Sequence, residues 1–295
     1  MLARERSALL DRGVNMTAVF GEELAQILRH SDPDLFAVTT PETVFQVGQT
    51  QNRERFTAII EELLLPGSDV VGLENLKELH ALAAQGKPAL VLSAHVSNLD
   101  VPALFTLLKH RGEEALFEDI IFIAGRKLTE GCKFIKSMAE VFSRVVISAK
   151  TARMSEQEVS VAMAINKAAQ RKIAELQHQG KVFVLYPTGT RTRLGVPRTH
   201  RGLREIYNYL RKFEFCVACG ISGNILPARD DVDMIDEFPR RDAVVYTFGK
   251  VRNIAAWLEE LESRMPGAST DRKQFVVDAI MDEIYALGDD PRRQG

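Results

Sequence analysis

The chain has 295 residues, of which 45% are hydrophobic and 26% are charged, and its formal net charge is -2. This length allows one large domain or two smaller ones around a sizeable core, and the composition is typical of a globular protein. The near-neutral charge argues against a nucleic-acid-binding protein that acts by general phosphate neutralisation.

Neither a secretory signal nor a membrane span is predicted. Residues 1–12 alternate charged and apolar side chains, and no apolar run approaches the roughly 20 residues that a membrane helix needs. We expect a cytoplasmic protein, for which peripheral contact with a membrane surface stays open. The three cysteines are too few for a disulfide framework. Cys216-x-x-Cys219 lies in an apolar run, which favours buried strand thiols over a redox or zinc site.

Residues 1–85 are predicted to be helical. Apolar residues recur at helical spacing in residues 17–28, 45–65 and 73–82, and turn residues separate these segments. We expect a helical N-terminal subdomain over residues 1–85, packed against an α/β domain of residues 86–295.

Beyond Pro88 the pattern changes to short apolar runs that alternate with amphipathic segments. This alternation predicts an α/β fold with a mostly parallel central sheet covered by helices. The predicted strands are 90–94, 120–124, 145–148, 182–185, 215–221 and 243–248, and the predicted helices are 101–109, 133–142, 155–179, 203–213, 254–261 and 273–287.

A histidine and an aspartate flank the turn after the first of these strands. The apolar run ends at His95, and Asp100 opens the next predicted helix five residues later. A turn that folds the carboxylate back onto the imidazole would fix its tautomer and leave the other ring nitrogen free to take a proton. We expect Asn98 or Asp100 to cap this helix. The alternative to the histidine–aspartate contact is a histidine bound by backbone groups, with Asp100 only capping the helix.

A second polar cluster follows the strand 182–185. Its turn contains Gly189 and Thr190, followed by Arg191 and Arg193 at alternate positions. Glycine permits close backbone approach, and paired guanidinium groups bind a phosphate by charge-assisted, often bidentate hydrogen bonds. The alternative is a solvated basic turn, because three more arginines follow closely.

Basic residues also follow two other predicted strands. Arg126 and Lys127 come after residues 120–124, and Lys150 comes after residues 145–148. Parallel neighbours would place these cations at the same edge of the sheet as His95. The sequence therefore predicts a candidate base and several cations at one edge, and it contains no evident cluster of metal ligands.

In this order and at this spacing, the motifs resemble those of the glycerolipid acyltransferase superfamily. The first motif, His-x4-Asp, matches His95 and Asp100. The second, an apolar strand ending in basic residues, matches residues 121–127. The third, Phe-Pro-Glu-Gly-Thr-Arg-Ser in many members, matches Tyr186-Pro187-Thr188-Gly189-Thr190-Arg191-Thr192, in which Thr188 stands in place of the usual glutamate.

In this replacement the sequence is similar to the soluble, plastid-type glycerol-3-phosphate acyltransferases. Those enzymes also carry a helical N-terminal subdomain. The resemblance implies that His95 and Asp100 are catalytic and that Gly189 and Thr190 support the phosphate-binding loop. The substrate phosphate would be bound by Arg191, Arg193, Lys150, Arg126 and Lys127. Thr151 stands where those relatives have a second basic residue after Lys150.

The resemblance implies transfer of a fatty acyl group from an acyl thioester to the 1-hydroxyl of glycerol 3-phosphate, the first step of phospholipid synthesis. The donor would be acyl carrier protein or acyl-CoA, with no cofactor, metal or acyl-enzyme, in the cytoplasm or, in a plant, the plastid stroma. The alternatives are a 1-acylglycerol-3-phosphate (lysophosphatidic acid) 2-O-acyltransferase and a non-enzymatic module that binds anionic lipids.

An acidic acyl carrier protein would need a basic surface on this chain. The same residues suit a solvated helix face equally well. The candidates are Arg198, Arg201, Arg204, Arg211 and Lys212.

Overall fold

The computed structural model describes residues 3–31, 39–126, 133–148, 154–232, 236–267 and 269–293. The strands in this part of the chain are β1 (Phe45–Gln46), β2 (Asp69–Val71), β3 (Ala89–Ser93), β4 (Ile120–Gly125), β5 (Arg144–Ile147), β6 (Val182–Leu185), β7 (Phe215–Ser222), β8 (Val245–Phe248) and β9 (Arg252–Asn253). The helices are α1 (Ala3–Asp11), α2 (Met16–Arg29), α3 (Arg53–Leu63), α4 (Leu73–Ala84), α5 (Asp100–His110), α6 (Glu114–Phe117), α7 (Lys133–Glu140), α8 (Glu156–His178), α9 (Ile206–Leu210), α10 (Ile254–Ser263) and α11 (Arg272–Ala286).

All nine strands belong to one mixed sheet of order β1-β5-β4-β6-β3-β7-β8-β2, and β9 pairs with β7. The five strands from β5 to β7 in this order are mutually parallel. Among the named strands of the described segments, antiparallel pairing is confined to β1 with β5, and to β8 and β9 with β7. The predicted fold class, an α/β protein with a mostly parallel sheet covered by helices, is confirmed.

Strand β3 lies near the middle of the sheet and is buried along its whole length. A parallel strand covered on both faces needs apolar side chains on both, which explains its continuous apolar sequence. Leu92 is in register with Leu185 of β6 and Ala218 of β7. The carboxyl ends of these three strands therefore lie side by side, and the turn after β3 is at their common edge.

The predicted helical character of residues 1–85 is confirmed for the segment as a whole, which contains α1 to α4, but two short strands interrupt it. Strand β1 pairs with β5, and β2 pairs with β8, so this segment contributes to the same sheet as the rest of the chain. Both strands are too short to show a period-two pattern, and the apolar spacing of residues 45–65 suited a helix as well. The helix in that range begins only at Arg53.

The long helix α8 begins and ends where the sequence predicts. The Ser155 side chain accepts a hydrogen bond from the Glu158 backbone N–H, and the Glu158 carboxylate accepts one from the Ser155 N–H. The predicted helix 203–213 is shorter, Ile206–Leu210. Ahead of it, the Leu203 N–H is bound to the carbonyl oxygen of Pro187.

Cys216 and Cys219 are buried, free thiols of β7, as predicted, and burial raises the pKa of each to about 12. Within the described segments, no helix combines the length and the apolar character that crossing a bilayer requires.

Candidate active site

His95 and Asp100 contact each other across the turn between β3 and α5. The His95 Nδ1 atom lies 2.8 Å from Asp100 Oδ2, and the same oxygen accepts a hydrogen bond from the Val96 N–H at 2.9 Å. Asp100 is the first residue of α5, and Leu99 is the cap, without a side-chain capping bond. The predicted capping role of Asn98 or Asp100 is therefore wrong, because the Asp100 carboxylate binds the imidazole and the turn instead.

The two side chains differ in their access to solvent. The Asp100 side chain is 3% exposed, and the His95 side chain is 22% exposed. A carboxylate on Nδ1 favours the tautomer with its proton on that nitrogen, which leaves the Nε2 lone pair unprotonated. Among the described residues, Nε2 has no hydrogen-bond partner. The arrangement can therefore accept a proton from a molecule that approaches the exposed edge of the ring.

Two tyrosines support this pair. The Tyr186 ring stacks on the His95 ring, with centroids 4.1 Å apart and an interplanar angle of 19°. The Tyr246 hydroxyl donates to the Asp100 backbone carbonyl at 2.7 Å. Burial, and then the Asp100 charge, raises the pKa of both tyrosines well above the ordinary value, so both phenols are neutral. Sequence reasoning assigned neither a role, since Tyr186 follows β6 and Tyr246 lies in β8, and both contacts arise only through the fold.

The loop after β6 contacts the turn of residues 94–99 between β3 and α5, called here the His95 turn. The Thr192 N–H donates to the His95 carbonyl oxygen at 2.8 Å. Gly189 has a φ of +63°, and a Cβ at this position would lie 2.5 Å from the Leu203 side chain. Glycine is therefore required both for the backbone conformation and for the close approach of Leu203. Thr190 is part of this loop, and its hydroxyl lies 3.4 Å from an Arg193 nitrogen.

Both arginines of this loop have carboxylate partners. Arg191 Nη1 donates to Glu237 Oε2 at 2.6 Å, and the two side chains are 5% and 0% exposed. Arg193 Nε lies 2.8 Å from Asp230 Oδ1, and the Arg193 side chain is 21% exposed. The turn is therefore not merely a solvated basic loop. Nothing local in the sequence signals the carboxylate partners, which follow dozens of residues later.

Of the remaining predicted cations, Arg126 lies among the described residues. Arg126 follows β4, and its charge contributes to lowering the pKa of Glu158, after the larger effect of hydrogen bonds from Ser155. Strand β4 is two positions from β3 in the sheet, which corresponds to roughly 10 Å. Lys127 and Lys150 lie outside the described residues, as does Cys132.

The candidate docking surface for acyl carrier protein is partly neutralised by two carboxylates, one in α11 and one at its N-cap. Arg201 Nη2 lies 2.8 Å from Asp278, and Arg204 Nε lies 2.7 Å from Asp271. Burial lowers the pKa of Lys212. Arg201 and Arg204 precede α9, so these contacts favour an ion-paired surface segment over an open basic patch.

An imidazole oriented by a carboxylate lies at the carboxyl end of a central parallel strand, and the adjoining loop contains two arginines, an arrangement that suits a general base. The sequence matches the Acyltransferase family over residues 68–215, half of the chain, and the chain belongs to this family. No curated protein matches the sequence. Within the described residues, no group of three or more histidine, cysteine or acidic side chains could hold a metal ion.

Proposed function

We propose that the protein transfers a fatty acyl group from an acyl thioester to the 1-hydroxyl of glycerol 3-phosphate. One observation carries this proposal: His95, whose Nε2 has no hydrogen-bond partner among the described residues, accepts at its backbone carbonyl the Thr192 N–H of the loop that contains Arg191 and Arg193. A general base and anion-binding side chains are what a phosphorylated alcohol requires of an acyltransferase.

In the proposed reaction, His95 Nε2 takes the proton of the substrate hydroxyl while its oxygen attacks the thioester carbonyl carbon. The tetrahedral intermediate then expels the thiolate, and the imidazolium returns the proton to that sulfur, so that ester and free thiol are formed. Asp100 holds the ring and stabilises the imidazolium. No acyl-enzyme and no cofactor are required, because the substrate supplies the nucleophile.

The arginines would bind the phosphate and orient the hydroxyl. Arg193 is the more accessible of the two, and Arg191 has a hydrogen-bond partner only at Nη1 among the described residues. Anchoring the remote phosphate converts an encounter into an oriented complex, which can contribute about 7 kcal/mol or more to lowering the barrier when the alignment is good. Arg126, Lys127 and Lys150 are the further candidates for this binding site.

The acyl donor in this proposal is acyl carrier protein or acyl-CoA. Its chain is apolar, and two exposed leucines lie beside the site. Leu194 follows Arg193 directly and is 63% exposed, and Leu203 lies over Gly189 and is 47% exposed. These side chains support contact of the loop with an apolar chain or, peripherally, with a membrane surface.

The test is a matrix of two donors and two acceptors on the purified protein. Palmitoyl-CoA and palmitoyl-acyl carrier protein are each combined with glycerol 3-phosphate and with 1-acylglycerol 3-phosphate. We expect a higher kcat/KM for glycerol 3-phosphate and an ester at its 1-position. Transfer only to 1-acylglycerol 3-phosphate would identify the lysophosphatidic acid alternative, and no turnover with any combination would reject the proposal.

A further inference from the structure

A buried ion pair joins the loop after β6 to a distant segment of the chain. The side chains of Arg191 and Glu237 are almost completely buried and are joined by the 2.6 Å hydrogen bond from Nη1 to Oε2. Removing two charges from water is costly, and the mutual attraction compensates for this cost only when the geometry is good and further hydrogen bonds are made. Stability alone is therefore a weak reason for a pair at this depth.

The hydrogen bonds of the pair are incomplete on both sides. Glu237 Oε1 is buried without a partner, and Nη1 is the only nitrogen of Arg191 that has one among the described residues. Nε and Nη2 of Arg191 are left to bind another acceptor. A phosphate offers oxygens in the geometry that a guanidinium matches through two nitrogens.

Contacts on either side fix the position of the pair. The Glu237 carbonyl oxygen accepts a hydrogen bond from the Met16 N–H, at the start of α2, at 3.0 Å. On the other side, Arg191 precedes Thr192, whose N–H binds the His95 carbonyl oxygen. A continuous series of contacts thus runs from α2 through the ion pair to the His95 turn.

We infer that Glu237 is a positioning residue, which holds the Arg191 guanidinium so that Nε and Nη2 face the phosphate of the acceptor substrate. This inference rests on the proposed function, because it assigns Arg191 to phosphate binding. Glu237 acts through Arg191 and does not itself contact the substrate. Its negative charge at Nη1 leaves the rest of the guanidinium for the anion.

The experiment compares KM for glycerol 3-phosphate with KM for palmitoyl-CoA in the wild type and in Glu237 variants. Glu237→Gln retains an oxygen acceptor for Nη1 and should stay within about threefold of the wild-type KM values. Glu237→Ala removes the acceptor and should raise KM for glycerol 3-phosphate by about tenfold, while kcat and KM for palmitoyl-CoA change by less than about threefold.

A control truncation is Glu118→Ala, at a carboxylate whose side chain is 56% exposed. Glu118 is the carboxylate partner of Arg53, another buried arginine, which also donates to the Val141 carbonyl oxygen. This variant removes a carboxylate from a buried guanidinium outside the site, and we expect wild-type kinetics. Thermal unfolding of every variant reports folding. If Glu237→Ala does not fold, Glu237→Asp is used in its place. This variant withdraws the carboxylate by one methylene group, and we expect the same increase in KM for glycerol 3-phosphate.

Two kinetic outcomes would overturn the inference. A lower KM for glycerol 3-phosphate in Glu237→Ala would mean that Glu237 only neutralises Arg191. Equal losses with both substrates would mean a purely structural role. If the wild type does not acylate glycerol 3-phosphate, the proposed function fails, and the inference is then tested by calorimetric titration with inorganic phosphate. Glu237→Ala should bind this probe about tenfold more weakly than the wild type, and equal binding, or none in the wild type, would overturn the inference.

Discussion

The imidazole ring of His95 lies nearly parallel to the phenol ring of Tyr186, with centroids 4.1 Å apart and an interplanar angle of 19°. The Asp100 bond to Nδ1 fixes one edge of the imidazole, and the stack restricts rotation of its plane. Together these contacts orient Nε2 before any substrate binds. The face of a neutral aromatic ring also attracts the positive charge that the imidazole acquires on taking a proton.

The stack predicts different effects for two substitutions of Tyr186. Tyr186→Phe retains the ring and should keep kcat within about threefold of the wild type, whereas Tyr186→Leu should lower kcat by about tenfold. The measurement is kcat against pH for both variants, with thermal unfolding to confirm the fold. Equal kcat values for the leucine and phenylalanine variants would show that stacking does not contribute.

His95→Ala removes the proposed base. We expect kcat to fall by about 10³-fold or more while the affinity for glycerol 3-phosphate, measured by calorimetry, changes little, because the phosphate is bound elsewhere. His80→Ala is a matched control, since His80 Nε2 also lies 2.8 Å from a carboxylate, that of Asp119, outside the site. An active His95 variant would eliminate the proposed mechanism.

Asp100→Asn tests the charge of the orienting carboxylate. The amide oxygen can still accept the Val96 N–H, so the turn should be retained, but the variant has no charge to stabilise the imidazolium. We expect kcat to fall by about 10²–10⁴-fold with little change in KM. Steady-state kinetics with saturating donor is the measurement, and a kcat close to that of the wild type would contradict the proposed role.

The two loop arginines should respond differently to removal. Arg193→Ala affects a partly exposed side chain and should raise KM for glycerol 3-phosphate by about tenfold with little loss of stability. Arg191→Ala should also raise this KM, but it leaves the Glu237 charge buried and unpaired, which costs about 3–5 kcal/mol. Denaturant unfolding and KM are measured for both variants, and unchanged KM values would argue against the phosphate site.

The carboxylate of Asp119 predicts a pH dependence of stability. Burial acts to raise its pKa, but hydrogen bonds from Lys181 and His80 outweigh this effect and lower it. A lowered pKa in the folded state stabilises the protein at pH values above the unfolded pKa of about 3.9, and this contribution is lost as the pH falls through the folded pKa. The Tm difference between the wild type and Asp119→Asn should therefore shrink as the pH falls below about 4; a constant difference would contradict this assignment.

Much of the fold follows from local patterns, whereas its short edge strands do not. The capping box at Ser155 and the buried run of β3 are complete within a few residues, so their structures are predictable. Strands β1 and β2 have two and three residues, and they exist only because β5 and β8 offer them partners. Pairing of that kind leaves no periodic signal in the sequence.

The contacts of the candidate site likewise divide into local ones, which the sequence predicts, and distant ones, which it does not. His95 and Asp100 are five residues apart, so one turn decides their contact, and the sequence motif contains both. Glu237, 46 residues from Arg191, and Tyr246, 146 residues from Asp100, reach the site through tertiary packing. Single-sequence reasoning could identify the arginines but not the side chains that hold them.

The sheet order has a consequence for synthesis of the chain. In the described structure β3 pairs only with β6 and β7, both of which emerge from the ribosome after residue 181. Until then both edges of a strand that is apolar from Ala89 to Leu92 have no partner, which favours association with other chains. A fragment that stops before β6 should therefore aggregate, although it already contains His95 and Asp100.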